Sequence, residues 1–229
     1  MISAVVVAGG SSRRMGFDKL GVEVVGKPLL AHTIAAFEAT TQVSEIIVVA
    51  APERFDLLAG WKERFGWKKL RPPVAGGLER FHSVMGGLEA TDPAHPLIAV
   101  HDGARPLVTP ELIHDCAVVA AETGAASVAA PVTETLKRRD PTTGCTSEPV
   151  DRTELWSMQT PQIFRREILL KAYAALDGRS VTDEASAVEL TGNPVKLVEN
   201  PEWNVKVTYP RDLPLVEWVL ADRFASRST

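Results

Sequence analysis

Short apolar runs and amphipathic stretches alternate along this chain. Ile2 to Val7, Glu45 to Ala51, Leu97 to Val100 and Ser127 to Val132 are mostly apolar without strict alternation. That pattern predicts strands covered on both faces. Between and after them lie stretches with helical spacing. Pro28 stands at a plausible first helical position before Leu29, Leu30, Ile34 and Phe37, which share a face. Thr109-Pro110-Glu111 reads as cap, first-turn proline and first-turn acid, followed by a stripe of Leu112, Ile113, Cys116, Val119 and Ala120 that ends at Gly124. Arg165 to Leu176 and Leu213 to Phe224 repeat the pattern, and Gly178 is expected to close the first of them. The alternation predicts an α/β protein with a mainly parallel sheet and helices on both faces.

One segment departs from this rhythm. Thr133 to Val150 is polar, carries charges of both signs and has no helical stripe. A structureless loop of that length inside a compact domain is improbable. The segment therefore reads as a functional excursion or a projecting hairpin around Asp140-Pro141-Thr142-Thr143-Gly144, with a solvated loop as the bland alternative.

Composition narrows the function classes. The 229 residues allow one large domain or two small ones. A net charge of −4 argues against a general nucleic-acid coat or a polybasic membrane anchor. Cys116 and Cys145 are distant from each other, which leaves no disulfide framework and no zinc cluster; Cys116 reads as a small core residue. The start of the chain has no basic lead and meets Gly9-Gly10 after eight residues, so no signal peptide is expected, and no apolar run suffices to span a bilayer. A cytoplasmic location is the expectation.

The candidate chemistry begins where the first strand ends, at Ala8-Gly9-Gly10-Ser11-Ser12-Arg13-Arg14-Met15-Gly16-Phe17-Asp18-Lys19. Successive backbone N–H groups in such a turn can wrap an anion, and glycine lets a phosphate approach without meeting a Cβ. Arg13, Arg14 and Lys19 add positive charge that the net sum conceals. The loop has neither the Lys-Ser/Thr pair of a Walker loop nor the Gly-x-Gly-x-x-Gly of a dinucleotide fold. A tight turn with solvated arginines is the alternative. At the end of a later strand comes His101-Asp102-Gly103-Ala104-Arg105-Pro106. There Asp102 is placed to hold a divalent cation that in turn holds phosphates. His101 points to the other face and reads as a hydrogen-bonded core histidine, and Arg105 as a structural ion pair.

Taken together, Gly9-Gly10, Arg13-Arg14-Met15, Lys19, the block from His101 to Pro106, Val150-Asp151-Arg152, Thr160-Pro161-Gln162, Thr182-Asp183-Glu184-Ala185-Ser186 and Asn204-Val205-Lys206-Val207-Thr208 resemble, in order and spacing, the 2-C-methyl-D-erythritol 4-phosphate cytidylyltransferase family of the non-mevalonate isoprenoid pathway. The resemblance covers residues 2 to about 220. It implies a single-domain, Rossmann-like nucleotidyltransferase fold with the excursion, about 133–152, as a β-hairpin dimerisation arm. It implies CTP and 2-C-methyl-D-erythritol 4-phosphate as substrates, magnesium as the cation, and a homodimer. Arg14, Lys19 and Lys206 match cations facing the reacting phosphates, which suits nucleotidyl transfer because fixed charge there supplies most of the catalysis. Ala8, Gly9, Gly10, Ser11 and Ser12 match the triphosphate loop. Gly76, Gly77 and Ser83, in Gly76-Gly77-Leu78-Glu79-Arg80-Phe81-His82-Ser83, match the segment near the cytosine. Asp102 matches the residue near magnesium and ribose. Thr135, Arg152 and Thr182 match acceptor contacts, partly across the dimer, with an ion pair to Asp151 or Glu154 as the alternative for Arg152.

Two departures stand out. The link Met15-Gly16-Phe17-Asp18 is shorter than in many family members and resembles that of molybdopterin guanylyltransferases, and Leu78 replaces a commonly polar residue. Three other functions compete with this one. A ribitol 5-phosphate cytidylyltransferase shares the chemistry, and the blocks around Thr182 and Lys206 argue against it. A non-catalytic nucleotide-binding module would not need cations at the reacting phosphate. A Rossmann oxidoreductase would need a different glycine spacing.

Overall fold

The computed structural model describes residues 1–10, 15–77 and 79–226. Its strands are β1 (Ile2–Ala8), β2 (Glu23–Val24), β3 (Lys27–Pro28), β4 (Val43–Ala50), β5 (Val74–Ala75), β6 (Leu97–Asp102), β7 (Ala125–Pro131), β8 (Leu136–Arg139), β9 (Thr146–Val150), β10 (Trp156–Arg165) and β11 (Lys196–Glu199). Its helices are α1 (Leu29–Ala39), α2 (Phe55–Phe65), α3 (Arg80–Glu89), α4 (Pro110–Thr123), α5 (Arg166–Ala174), α6 (Glu184–Glu189) and α7 (Leu213–Ser226). Seven strands form one sheet in the order β11-β7-β10-β6-β1-β4-β5. In that sheet only β10 runs antiparallel to its neighbours. This is the expected α/β fold, a single domain with a mostly parallel sheet.

Alternation along the central strands builds two apolar layers. Ala4, Val6 and Ala8 of β1 face a core with Leu30, Ile34 and Phe37 of α1, Ile113 and Cys116 of α4, and Val216 and Leu220 of α7. Val5 faces the other core, with Val84 and Leu88 of α3, Leu169 and Tyr173 of α5, and Val188 of α6. Burial on both faces is why these strands read as near-continuous apolar runs. Helix α4 starts and stops as expected: the Thr109 hydroxyl accepts from the Leu112 N–H at 3.2 Å, and Gly124 takes the left-handed conformation at φ 93°.

Several expectations need correction. Pro28 occupies the cap position just before α1. Helix α5 ends at Ala174, and Gly178 belongs to the turn beyond it. Lys206, in a stretch whose sequence reads as strand-like, lies outside the named strands, held by the Val207 N–H donating to the Ala104 carbonyl at 2.8 Å. Strand β10 hides in the sequence because Pro161, which has no N–H to donate, interrupts it. Its ladder to β7 shifts register between Met158 and Gln162.

The polar excursion is a hairpin. Strands β8 and β9 pair antiparallel as a separate two-stranded sheet. At its tip Asp140 Oδ1 accepts from the Thr142 and Thr143 N–H groups, both at 2.8 Å, and Gly144 sits at φ 76°. Among the described residues, no helix is long and apolar enough to cross a membrane.

Candidate active site

The chain leaves β1 toward β4 on one side and leaves β6 toward β7 on the other. The crevice beyond the carboxyl ends of β1 and β6 is therefore the switch point at which such sheets bind ligands. Register places Val7 beside Asp102. A cavity of about 390 Å³ opens there. Ala8, Gly9, Gly10 and Lys19 form one wall, Gly77, Arg80 and Ser83 a second, and Asp102 and Lys206 the floor between them.

Close packing brings the second wall into position. A Cβ on Gly87 of α3 would lie 2.5 Å from Val5 Cγ1 and 2.8 Å from Val49 Cγ2, so glycine lets the helix lie directly on the sheet. A Cβ on Gly77 would lie 2.5 Å from His82 Cβ, so only glycine lets the turn fold back on the start of α3. The Gly77 N–H then donates to Ser83 Oγ at 3.0 Å. Gly76 does not line the cavity; it lies against Gly9 of the first turn, where a Cβ on Gly9 would be 3.9 Å from the Gly76 Cα.

Three cations converge on Asp102. Lys206 Nζ lies 3.0 Å from Oδ2, Arg105 Nε 3.2 Å from Oδ2, and Arg80 Nη2 3.4 Å from Oδ1. Burial alone would raise the carboxyl's pKa, but Lys206, Arg80 and Arg105 outweigh it and hold the group well below the usual carboxylate range. Asp102 is therefore an anion at any physiological pH. Its backbone N–H donates to Thr160 Oγ1 at 3.1 Å. Lys206 is fixed from both sides along the chain. The Arg105 guanidinium donates to the Asn204 carbonyl at 2.8 Å, and Asn204 Nδ2 donates to the Thr160 carbonyl at 2.9 Å. Lys19 Nζ donates to the Val207 carbonyl at 2.7 Å, which ties Lys19 to the segment that carries Lys206. His101 is the expected core histidine, fully buried, with Nδ1 3.1 Å from Thr160 Oγ1 and burial pushing its pKa down to about 3. Arg105 is the expected structural ion pair.

The structure thus brings together Ala8, Gly9, Gly10, Lys19, Gly77, Ser83, Asp102 and Lys206. Ser11, Ser12 and Arg14 lie outside the described residues, as do Arg13 and Leu78. Thr135, Arg152 and Thr182 do not line this cavity. Arg152 donates to the Thr133 carbonyl at the root of the hairpin, and Thr182 Oγ1 lies 3.5 Å from Ser186 Oγ. The sequence reading missed Arg80 as a site residue, although it stood inside the quoted glycine segment. It also left Thr160-Pro161-Gln162 without a role. Besides the Thr160 contact, Gln162 Nε2 donates to Asp183 Oδ2 at 2.8 Å and Gln162 Oε1 accepts from the Ala185 N–H at 3.0 Å, which fixes the start of α6.

Residues 2–222 match the family profile described as IspD, 2-C-methyl-D-erythritol 4-phosphate cytidylyltransferase. The chain belongs to this family. It is 41% identical over 227 residues to the 2-C-methyl-D-erythritol 4-phosphate cytidylyltransferase of Alkaliphilus metalliredigens, covering 97% of this chain and 94% of that one. It is also 41% identical to that of Caldanaerobacter subterraneus, covering 96% and 98%. The crystal structure of 4-diphosphocytidyl-2C-methyl-D-erythritol synthase from Anaerococcus prevotii superposes with a TM-score of 0.83 at 27% identity, covering 96% of each chain. That of the Thermus thermophilus cytidylyltransferase gives 0.75 at 30% identity, covering 95% of this chain and 98% of that one. As a member of the IspD family the chain is a nucleotidyltransferase.

Proposed function

We propose that this enzyme transfers CMP from CTP to 2-C-methyl-D-erythritol 4-phosphate, releasing pyrophosphate. The observation that carries the reading is the convergence of Lys19, Lys206 and the anionic Asp102 in one cavity walled by two glycine turns. An oxygen of the acceptor phosphate attacks the α-phosphorus in line. The bond to the bridging oxygen breaks, and pyrophosphate leaves with its electron pair. Lys19 and Lys206 supply fixed positive charge where negative charge accumulates, and Arg14 is assigned the same task. Gly9 and Gly10 offer backbone N–H groups to the triphosphate, and Ser11 and Ser12 are assigned the same task; Gly77 and Ser83 line the cavity on the side assigned to the base, with Gly76 behind them against Gly9.

A magnesium ion fits the donors present. Among the described residues no group of three or more His, Cys, Asp or Glu could hold a metal unaided. Asp102 offers one carboxylate whose Oδ1, among the described residues, carries only the long Arg80 contact, and substrate phosphate oxygens would complete the shell, as this ion prefers. When bound there, the ion would neutralise phosphate charge.

The hairpin is assigned to dimerisation. A lone two-stranded sheet is marginal in water, and β8 and β9 expose most of their residues. Thr135 and Arg152 sit at its roots, away from this chain's own cavity, so they are assigned to the partner's acceptor site, with Thr182 as a further acceptor contact. Arg152 suits that role because its planar fork binds two phosphate oxygens.

The deciding assay measures pyrophosphate release with magnesium, CTP and either 2-C-methyl-D-erythritol 4-phosphate or ribitol 5-phosphate. The first acceptor is expected to be strongly preferred; equal turnover of both would sink the narrow assignment. Deleting Lys137 to Ser147 should give a monomer with weakened acceptor binding, and a fully active monomer would contradict the arm's role.

A further inference from the structure

Glu184 is only 1% exposed, and among the described residues its Oε2 has no hydrogen-bond partner. Its Oε1 takes the Arg80 guanidinium and accepts from the Tyr173 hydroxyl at 3.2 Å. A buried ion pair with an orphaned oxygen is a poor source of stability, because desolvation of the charges offsets much of their attraction. Its Arg80 member, however, lines the cavity. Arg80 reaches Glu184 through Nη1 and Asp102 through Nη2, and the second contact is stretched to 3.4 Å. Glu184 cannot yield, because it opens α6: Asp183 caps that helix through Ser186, and Gln162 grips both Asp183 and the Ala185 N–H.

We propose that Glu184 is a positioning residue that draws Arg80 off Asp102 and so keeps Asp102 Oδ1 open to the nucleotide and its cation. Without the Glu184 charge, Arg80 closes onto Asp102 and occupies Oδ1. The inference rests on the nucleotidyltransferase reading of this cavity. It also ties the Thr182 segment mechanically to the α3 segment through one ion pair.

The sign of the effect separates this role from simple charge. Removing a negative side chain near a phosphate site tightens anion binding by Coulomb's law, whereas loss of positioning weakens it. The experiment is calorimetric CTP binding in magnesium for wild type, E184Q, R80M and E184Q/R80M, with pyrophosphate release followed alongside. E184Q is expected to bind CTP roughly tenfold more weakly and to raise KM by the same factor, with kcat within about twofold. In the R80M background the same change is expected to have no further effect, because Glu184 acts through Arg80. E184D keeps the charge one methylene farther away and should give an intermediate loss, which serves as the test if E184Q does not fold. Unchanged or tighter CTP binding in E184Q, or an equal loss in both backgrounds, overturns the proposal. Binding is read without turnover. A wild type that binds CTP but transfers nothing therefore counts against the proposed function and leaves the role of Glu184 standing.

Discussion

Two buried carboxylates sit at opposite ends of the central sheet, and they are held in different ways. At the amino end, Glu45 Oε1 takes the Ser3 hydroxyl at 2.7 Å and the Asp92 backbone N–H at 2.6 Å, with His95 Nδ1 3.3 Å away. Arg71 approaches Oε2 only to 3.5 Å. At the carboxyl end, Asp102 is held by Lys206, Arg105 and Arg80. Both are almost fully buried, at 4% and 6% exposure, and both pKa values lie below the usual range against the opposing effect of burial. Glu45 is stabilised first by hydrogen bonds from groups that cannot leave, Asp102 first by the charges of long side chains. Burial and a depressed pKa therefore do not distinguish a structural carboxylate from a functional one. The distinction lies in whether the partners can be exchanged for a ligand, and two of those of Asp102, Lys206 and Arg80, line a cavity.

The comparison can be broken experimentally, most severely at the carboxyl end. Lys206 is 44% exposed through its side chain but is the first charge offsetting the burial of Asp102, so Lys206→Ala should lower the melting temperature while kcat falls roughly 10²-fold, the larger effect. A drop in melting temperature with unchanged turnover would make Lys206 another structural cation. At the amino end the reverse holds. Glu45→Gln should cost about 2 kcal/mol of unfolding free energy by denaturant titration, with turnover of the folded enzyme within about twofold. Lost turnover there would erase the contrast.

A subtler effect comes from His101, behind Asp102. Its folded pKa is about 3 against an ordinary 6.5, so between those values the unfolded chain binds the extra proton. Stability attributable to this group is complete above pH 6.5 and declines as pH falls toward 3. His101→Gln should flatten that decline, whatever its effect on absolute stability. An unchanged slope between pH 6.5 and 3 would mean that His101 does not stay neutral in the fold.

The sequence was most readable where local and global preferences agree. Ile2 to Val7 is apolar on both faces because both faces are covered, and Thr109 and Gly124 bound α4 with the residues such ends require. Strand β10 and helix α3 were missed, because Pro161 breaks one pattern and Gly86-Gly87 weakens the other. At the site, motifs gave the identities of Lys19, Asp102 and Lys206, but only the fold shows that residues so far apart in the chain meet. Arg80 and Glu184 stood inside quoted motifs, but their pairing went unseen for the same reason. They are 104 residues apart, and nothing local to either announces the pair.

The hairpin of β8 and β9 also has a consequence for measurement. Each of its strands has one neighbour and almost no apolar cover, so its amides should exchange with deuterated solvent faster than those of the central sheet. If a second copy of the chain closes over it, that exchange slows as protein concentration rises. The amides of residues 136–150 then act as a built-in gauge of assembly, readable without a label and at the concentrations at which the enzyme is assayed.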